Sequence, residues 1–433
     1  MPALRILITG AGIAGTALAF WLSKLGHNVT VIERAPELRT GGLQVDLRGP
    51  GIQVLRRMKL EETFRQHAVA EQGLQLVDGK GRRARAAEFH DGFEIMRGDL
   101  CRVLVGACGV RARFVFGVHV VRVKEVEESV EVVFSDGDVD RFDLVVGADG
   151  VGSRMRRMMI GLGEDSEENP GYHSIGAYAG YCTIPQGIQE GEGYDATAFI
   201  APGSRGIMIR RHDRHRVQAY VFCNPRSSER LLNSTRGDIE EEKRALAEVF
   251  RGAGWKSDEI LQALVESDDF YCERMGVIRL NEWSRGRIAL VGDAAYCPSA
   301  MTGMGTPCAL TGAYILAGEI GKHCGSGSST RVASRGDITA ALKAYDQKFR
   351  PFVDQVQKGL TDTGNYMDRF PSSPFGIGFL YVVFWISSLL RLDVVAQRVL
   401  REKTDGWELP LYPKMDALRA SSISQCILGL LVQ

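Results

Sequence analysis

Gly10, Gly12 and Gly15 stand at the spacing GxGxxG, and Glu33 follows at the end of a later apolar run. Those residue types suit a phosphate-bearing ligand. Gly10 permits a tight turn, Gly12 lets a pyrophosphate approach the backbone, and Gly15 lets a helix pack closely on its strand. The N-terminus of that helix attracts phosphate charge, and Glu33 can accept hydrogen bonds from a ribose. Two further stretches put an aspartate after an apolar run. Residues 143–150 read DLVVGADG and carry Asp149; residues 286–293 read GRIALVGD and carry Asp293, with Pro298, Gly303, Gly305 and Thr306 beyond. Ligands of open parallel sheets bind at such carboxyl ends of strands. One aspartate there is often a helix cap. Two, added to the glycine fingerprint, indicate a bound dinucleotide.

The elements that position these residues follow from periodicity. Leu4–Thr9 reads as a strand, Ala14–Leu25 as a helix and Asn28–Ile32 as a second strand, so the N-terminus spells βαβ and requires a parallel sheet with a right-handed crossover. Asp143–Ala148 and Arg287–Val291 supply further buried strands, which makes that sheet an assembly of distant pieces. Val115–Val123 and Val130–Phe134 predict an antiparallel hairpin around Glu127, Glu128 and Ser129. From about Pro170 to Cys272 the pattern changes. Ala196–Ala201, Gly206–Arg210 and Val217–Cys223 look like strands of an inserted, mostly antiparallel domain, accompanied by a helix over Glu240–Phe250. Cys308–Ile320 and Ile338–Arg369 are helical, and the Gly/Ser run Cys324–Ser334 is a surface loop. Phe375–Leu390 is apolar but shorter than the about 20 residues a bilayer span needs, so a buried core helix is expected. The tail after Pro413 has no interpretable pattern.

Composition bounds the partners. The 433 residues carry 53 Lys plus Arg against 53 Asp plus Glu, a formal charge of zero that argues against nucleic acid as a ligand. Nine cysteines without a CxxC pair read as reduced thiols in the cytoplasm, and no charged-then-apolar leader precedes the first strand. His212 and His215 flank Asp213 and Arg214 in what reads as a solvated turn, not a metal site. Cys297 and Cys308 read as packing residues, and Arg154, Arg156 and Arg157 as a solvated helix face.

Taken in order, the GxGxxG, DG and GD motifs resemble those of the single-component class A flavin monooxygenases of the para-hydroxybenzoate hydroxylase fold. The resemblance runs from Leu4 to about Arg350. It is closest to the tetracycline-inactivating monooxygenases and related secondary-metabolism enzymes, through Gly41, Gly42, Asp46 and Leu47 and through EIMRGDL over residues 94–100. The implied fold is α/β: a Rossmann-like, GR2-type FAD-binding domain built from residues 1–75, 95–165 and 273–345. Into it would be inserted a mostly antiparallel substrate domain, residues 76–94 and 166–272, followed by a helical segment 346–413 and a tail 414–433.

The implied cofactor is FAD, contacted by Asp46, Arg97 and Asp293 and held in addition by Gly10, Gly12, Gly15, Glu33, Arg34, Asp149, Gly303, Gly305 and Thr306. The amides of the Gly303–Thr306 turn would face the isoalloxazine, and Arg39 would contact NADPH. NADPH or NADH would be a transient co-substrate with O₂, and the product a hydroxylated or epoxidised small metabolite, aromatic, polyketide-like or alkene. The setting would be secondary metabolism or detoxification. No catalytic side chain is assigned. Tyr178, Phe199, Met208, Tyr220 and Phe222 are loose candidates for the substrate wall, with ordinary core packing the preferred reading. A flavin halogenase is disfavoured because no WxWxIP segment occurs. A non-oxygenating FAD reductase and a nucleotide-binding, membrane-associated module anchored by Phe375–Leu390 remain as alternatives.

Overall fold

Four of the five side chains of Arg5–Thr9 are buried, as expected for a strand covered on both faces. In the computed structural model this strand sits inside a six-stranded sheet, in the order Ser284–Arg285, Ile288–Leu290, Leu144–Gly147, Arg5–Thr9, Asn28–Glu33, Ala112–Phe116. The structure describes residues 3–88, 93–163, 166, 168–190, 192–235, 237–325, 333–361, 366–369, 371–389 and 406–417. All neighbours in the sheet run parallel except Ser284–Arg285, which turns back on Ile288–Leu290. Thr9 lies opposite Gly147, and Gly147 opposite Leu290. The carboxyl ends of three strands from three parts of the chain therefore lie side by side.

Helix Ile13–Lys24 is buried along most of its length between that sheet and helix Gly305–His323. Trp21 meets Tyr314 edge-on at 5.3 Å. Gly305–His323 is buried from Thr306 to Gly321, packed also against Gly49–Met58 and Arg335–Gln357. A capping box between Ser334 and Asp337 starts the latter. Late in the chain, Tyr412 returns to this helix: its ring lies 5.3 Å from that of Tyr314 and its hydroxyl donates to Glu319 at 2.6 Å.

A seven-stranded sheet forms the second layer, in the order Tyr271–Ile278, Tyr172–Ile184, Val217–Cys223, Arg205–Arg211, Ala196–Ala201, Gly73–Val77, Arg83–Glu88. One pair in it is parallel, Ala196–Ala201 with Gly73–Val77. Helices Ile239–Phe250 and Ser257–Glu266 cover one face. The short pair Gln44–Asp46 and Glu94–Met96 forms its own ladder, tied to the seven-stranded sheet where Gln44 N donates to Gln218 Oε1 at 3.1 Å.

Three expectations need correction. The predicted strand Val115–Val123 is two strands: Ala112–Phe116 joins the six-stranded sheet, Gly117 turns the chain at φ 77, and Val120–Val126 pairs with Ser129–Phe134. The helix predicted to reach Arg369 stops at Gln357, with Gly359 at φ 78 just beyond and only a 3₁₀ turn at Tyr366–Arg369. The apolar run is a helix, Pro374–Leu389, but not a core helix: Phe375 is 87% exposed and Phe379 64%. It packs on strands Arg83–Glu88 and Ala196–Ala201, anchored by the Tyr381 hydroxyl, which accepts from Ile200 N at 3.2 Å and donates to the Val77 carbonyl. Contact on one side leaves positions i, i+4 and i+7 facing outward. Among the described residues, no helix is long and apolar enough to cross a membrane. Most of the Cys324–Ser334 loop and of the tail lies outside the described residues.

Candidate active site

The first two strand ends explain their own glycines. A Cβ on Gly10 would lie 2.5 Å from the Ala148 carbonyl oxygen, and Gly10 sits at φ 105, so it must lack a side chain. A Cβ on Gly15 would lie 2.0 Å from the Gly10 oxygen, which is the close helix–strand approach read from the motif. Gly12 differs. A Cβ there would meet nothing nearer than an Arg97 guanidinium nitrogen at 3.6 Å, so the protein's own packing does not demand glycine. Gly12 caps helix Ile13–Lys24 in extended backbone, with space over the first turn. The first amides of a helix have no partner within it and favour an anion there. Beside this turn Glu33 is buried, accepting from Ala11 N and Ala35 N at 3.1 Å each. Arg34 is exposed, and Arg39 approaches Glu33 at 3.7 Å from solvent.

The DG loop is organised from within. Asp149 accepts from Ser153 Oγ at 2.5 Å and Met155 N at 3.1 Å, and so holds Ser153, which caps helix Arg154–Ile160 by accepting from Arg156 N at 2.9 Å. Arg156 is a further correction to the sequence reading. Its side chain is fully buried, not solvated, because the last strand end comes to it. Nη1 donates to the Ala294 carbonyl at 2.7 Å, and Nη2 to the Val151 carbonyl and to Asn169 Oδ1. Burial draws its pKa down to about 10, which leaves it a cation at neutral pH. One arginine thereby clips the loop after the 144–147 strand to the loop after the 288–290 strand. Arg156→Met should strand those acceptors and cost about 3 kcal/mol of stability, read as a lower urea midpoint. An unchanged midpoint would mean that the clip contributes nothing.

Asp293 opens the short helix Asp293–Tyr296 and is half-buried. Burial pushes its carboxyl up, opposed by the Arg97 cation and by the Cys297 thiol that hydrogen-bonds to it. The preceding Gly292, at φ 68, would place a Cβ 2.6 Å from the Ala14 side chain, which brings this loop against the N-terminus of the first helix.

Arg97 starts helix Arg97–Cys108, its backbone N donating to the Leu43 carbonyl at 3.0 Å and its side chain lying beside Gly42 and Gly12. Asp46 ends its strand with Oδ2 held by Arg48 at 2.8 Å and Oδ1 3.4 Å from Arg210. Arg48, which sequence reading passed over, also lies 3.6 Å from where a Cβ on Gly303 would be. Gly303 turns at φ 65 into Gly305, the first residue of the long buried helix; a Cβ on Gly305 would meet nothing within 4 Å. Thr306 behind it is buried.

The five substrate-wall candidates divide between opposite faces of the seven-stranded sheet. Met208, Tyr220 and Phe222 share one face with Tyr181, whose ring lies 5.4 Å from Tyr220 and 6.3 Å from Phe222. Leu43 and Met301, the latter in the turn before Gly303, pack against the same cluster. Tyr178 and Phe199 point the other way, under the helices with Leu246 and Phe250. Side chains alternate along a strand, so Tyr178 and Tyr181, three apart, must face opposite sides. Tyr181 was the residue missed.

His212 pairs with Asp213 at 3.3 Å, and among the described residues no group of three His, Cys, Asp or Glu side chains is placed to hold a metal. Cys297 and Cys308 are both buried.

The chain is similar to known proteins over nearly all of this architecture. The FAD binding domain family matches residues 3–357. The FAD-dependent monooxygenase asL4 of Sarocladium schorii is 44% identical over 434 residues, covering 96% of this chain and 99% of that protein. The flavin-dependent monooxygenase eupH of Phoma sp is 37% identical over 406 residues, 87% of this chain and 90% of that one. The crystal structure of tetracycline destructase Tet(51) has 29% sequence identity and a TM-score of 0.72, covering 95% of this chain and 100% of that chain.

Proposed function

The chain belongs to the FAD binding domain family of flavin-dependent monooxygenases, and on that premise we propose how its own residues serve the reaction. It is an FAD-dependent enzyme that uses NAD(P)H and O₂ to oxygenate a small organic molecule. When bound, FAD supplies both the acceptance of electrons and the activation of O₂.

In this reading Gly10, Gly12 and Gly15 with the first turn of Ile13–Lys24 hold the pyrophosphate, and Glu33 and Arg34 hold the adenosine end. Arg97, Asp46 and Asp293 bind toward the flavin side. Gly303, Gly305 and Thr306 offer backbone amides to the negative edge of the ring, where a fixed donor needs no reorganisation during reaction. Asp149 acts at one remove, by shaping the DG loop. Arg39, exposed beside Glu33, meets NADPH. Residues 1–75, 95–165 and 273–345 form the nucleotide side, and 76–94 with 166–272 the substrate side. The wall of Tyr181, Met208, Tyr220 and Phe222 excludes water and suits an aromatic, polyketide-like or alkene substrate. The eight described cysteines are free thiols, which supports the cytoplasm as its location, and the outward side of Pro374–Leu389 supports peripheral membrane contact.

One observation carries the reading: Gly12 and Gly305 are glycines that nothing in the protein requires, each opening onto space at a helix N-terminus. The test is the purified protein with NADPH, labelled O₂ and a panel of electron-rich aromatics and alkenes. Yellow protein, substrate-stimulated NADPH consumption and one labelled oxygen in the product are expected. NADPH consumption without label in any product would instead make it a reductase.

A further inference from the structure

Where the short ladder meets the strand Arg205–Arg211 lies a buried ionic cluster. Asp46 and Glu94 stand opposite each other across the short ladder, an arrangement of like charges that is unfavourable unless something neutralises it. Arg210, from the strand Arg205–Arg211, does so. Its Nε donates to Glu71 Oε2 at 2.8 Å, while Nη2 reaches Glu71 Oε1 at 3.2 Å, Glu94 Oε2 at 2.6 Å and Asp46 Oδ1 at 3.4 Å. Gln44 Nε2 donates to Glu71 Oε2 at 2.7 Å and to Glu94 Oε2. Those two carboxylate oxygens share both donors, so they are neighbours. Side-chain exposure is 10% at Arg210, 2% at Glu71 and 14% at Glu94.

The charges do not balance. Arg210 and the half-exposed Arg48 give two cations against three carboxylates. A buried excess charge is relieved by keeping a proton. Beside the two carboxyls, Gln44 Oε1 is buried without a hydrogen-bond partner among the described residues, a spare acceptor in the cluster.

We propose that Glu71, Glu94 and Arg210 hold one exchangeable proton that sets the position of Asp46, making Glu94 and Arg210 positioning residues of the flavin site. This rests on Asp46 contacting FAD. The same nitrogen, Arg210 Nη2, serves Glu94 and Asp46. With the proton on Glu94 it is shared; with the proton gone, Glu94 draws it from Asp46, whose contact is already the longer, and Asp46 turns toward Arg48 and the Gly303 turn. Burial, aided by Asp46 and Glu71 and opposed by Arg210, raises Glu94 to about 7. Tyr220, whose hydroxyl donates to Gln218 Oε1 at 3.0 Å, is a further titratable group near Arg210, and Arg211, Glu192 and Asp195 line the cavity beside it. A carboxyl raised in this way keeps its proton below about pH 7 and loses it above, so the site is set on the acid side and loosened on the alkaline side. Arg210 also borders a half-open cavity of about 370 Å³ with Thr197, Arg211 and Trp255, a path by which the proton can exchange with solvent.

The experiment is release of FAD from the diluted holoenzyme, followed by flavin fluorescence from about pH 6 to about pH 8, for the wild type, Glu94→Gln and Asp46→Asn. The wild-type Kd should rise about tenfold across that window. Glu94→Gln should show the tight value throughout. In wild-type protein the infrared band of a protonated carboxylic acid should disappear with the same midpoint, and Glu94→Gln should lack it. A flat wild-type profile, a slope that survives in Glu94→Gln, or no titrating carboxylic acid overturns the inference. Asp293→Ala, which removes the other carboxyl that burial pushes up, should keep the band, and its loss there overturns the inference even if Glu94→Gln fails to fold. If Asp46→Asn binds FAD as the wild type does, the assignment of Asp46 to the flavin site fails. If Asp46→Asn binds it weakly while Glu94→Gln keeps the slope, the site stands and the proton-holding role does not.

Discussion

Gly12→Val should fold and purify colourless, whereas Gly15→Val should fail earlier, at folding. The two glycines belong to one motif but meet different surroundings. At Gly12 the first added carbon has 3.6 Å of clearance from the Arg97 side chain, so the apoprotein can accommodate it. What it occupies is the approach to the helix N-terminus, and FAD affinity should fall about a hundredfold or more, about 3 kcal/mol. At Gly15 the first carbon would overlap the Gly10 carbonyl oxygen at 2.0 Å, backbone against backbone, with a cost of about 3 kcal/mol or more. Flavin absorbance with a thermal melt separates the two. A yellow Gly12→Val protein would remove the pyrophosphate site from the Gly10–Gly15 turn.

Asp293→Ala should lose FAD without losing stability. Its carboxyl is pushed up chiefly by burial, so the folded protein bears a cost for keeping it charged at neutral pH. Sites shaped for a ligand often carry such a cost when empty. Removing the carboxylate should weaken FAD about tenfold to a hundredfold, the worth of a hydrogen bond to a charged group. The apoprotein's melting temperature at pH 7 should stay level or rise. Because the folded carboxyl is raised above its ordinary value, the wild-type apoprotein should lose stability relative to the variant as pH rises through that carboxyl's titration. Wild-type flavin occupancy in Asp293→Ala would exclude the residue from the site.

The parts of this architecture legible in the sequence were those whose physics is local. Gly10 to Gly15, Asp149 and Asp293 each declare a strand, a turn and a helix within a few residues, and parallel pairing then has to bring the strand ends together. That Tyr220 and Phe222 share a face was legible because they alternate on one strand, but their neighbour Tyr181 lies on another strand whose register no local signal fixes. Arg156 looked solvated because its acceptors at Ala294 and Asn169 come from other segments. Arg210 stands 116 residues from Glu94 and 139 from Glu71 where they meet, and each alone looks like an ordinary surface charge. Pro374–Leu389 misled for the opposite reason. Its composition is that of a core helix, while its exposure depends on how little of the sheet remains to cover it.

The return of Tyr412 to Gly305–His323 makes the far end of the described chain a plug against the long buried helix. A Cβ on Gly318 would overlap the Tyr412 ring, so the missing methyl is the socket in which that aromatic sits. Any shortened version lacking Tyr412 would uncover this helix, whose first residues we propose as amide donors to the flavin, and leave the Glu319 carboxylate without its hydroxyl donor. Trimming for crystallisation should therefore stop short of this residue.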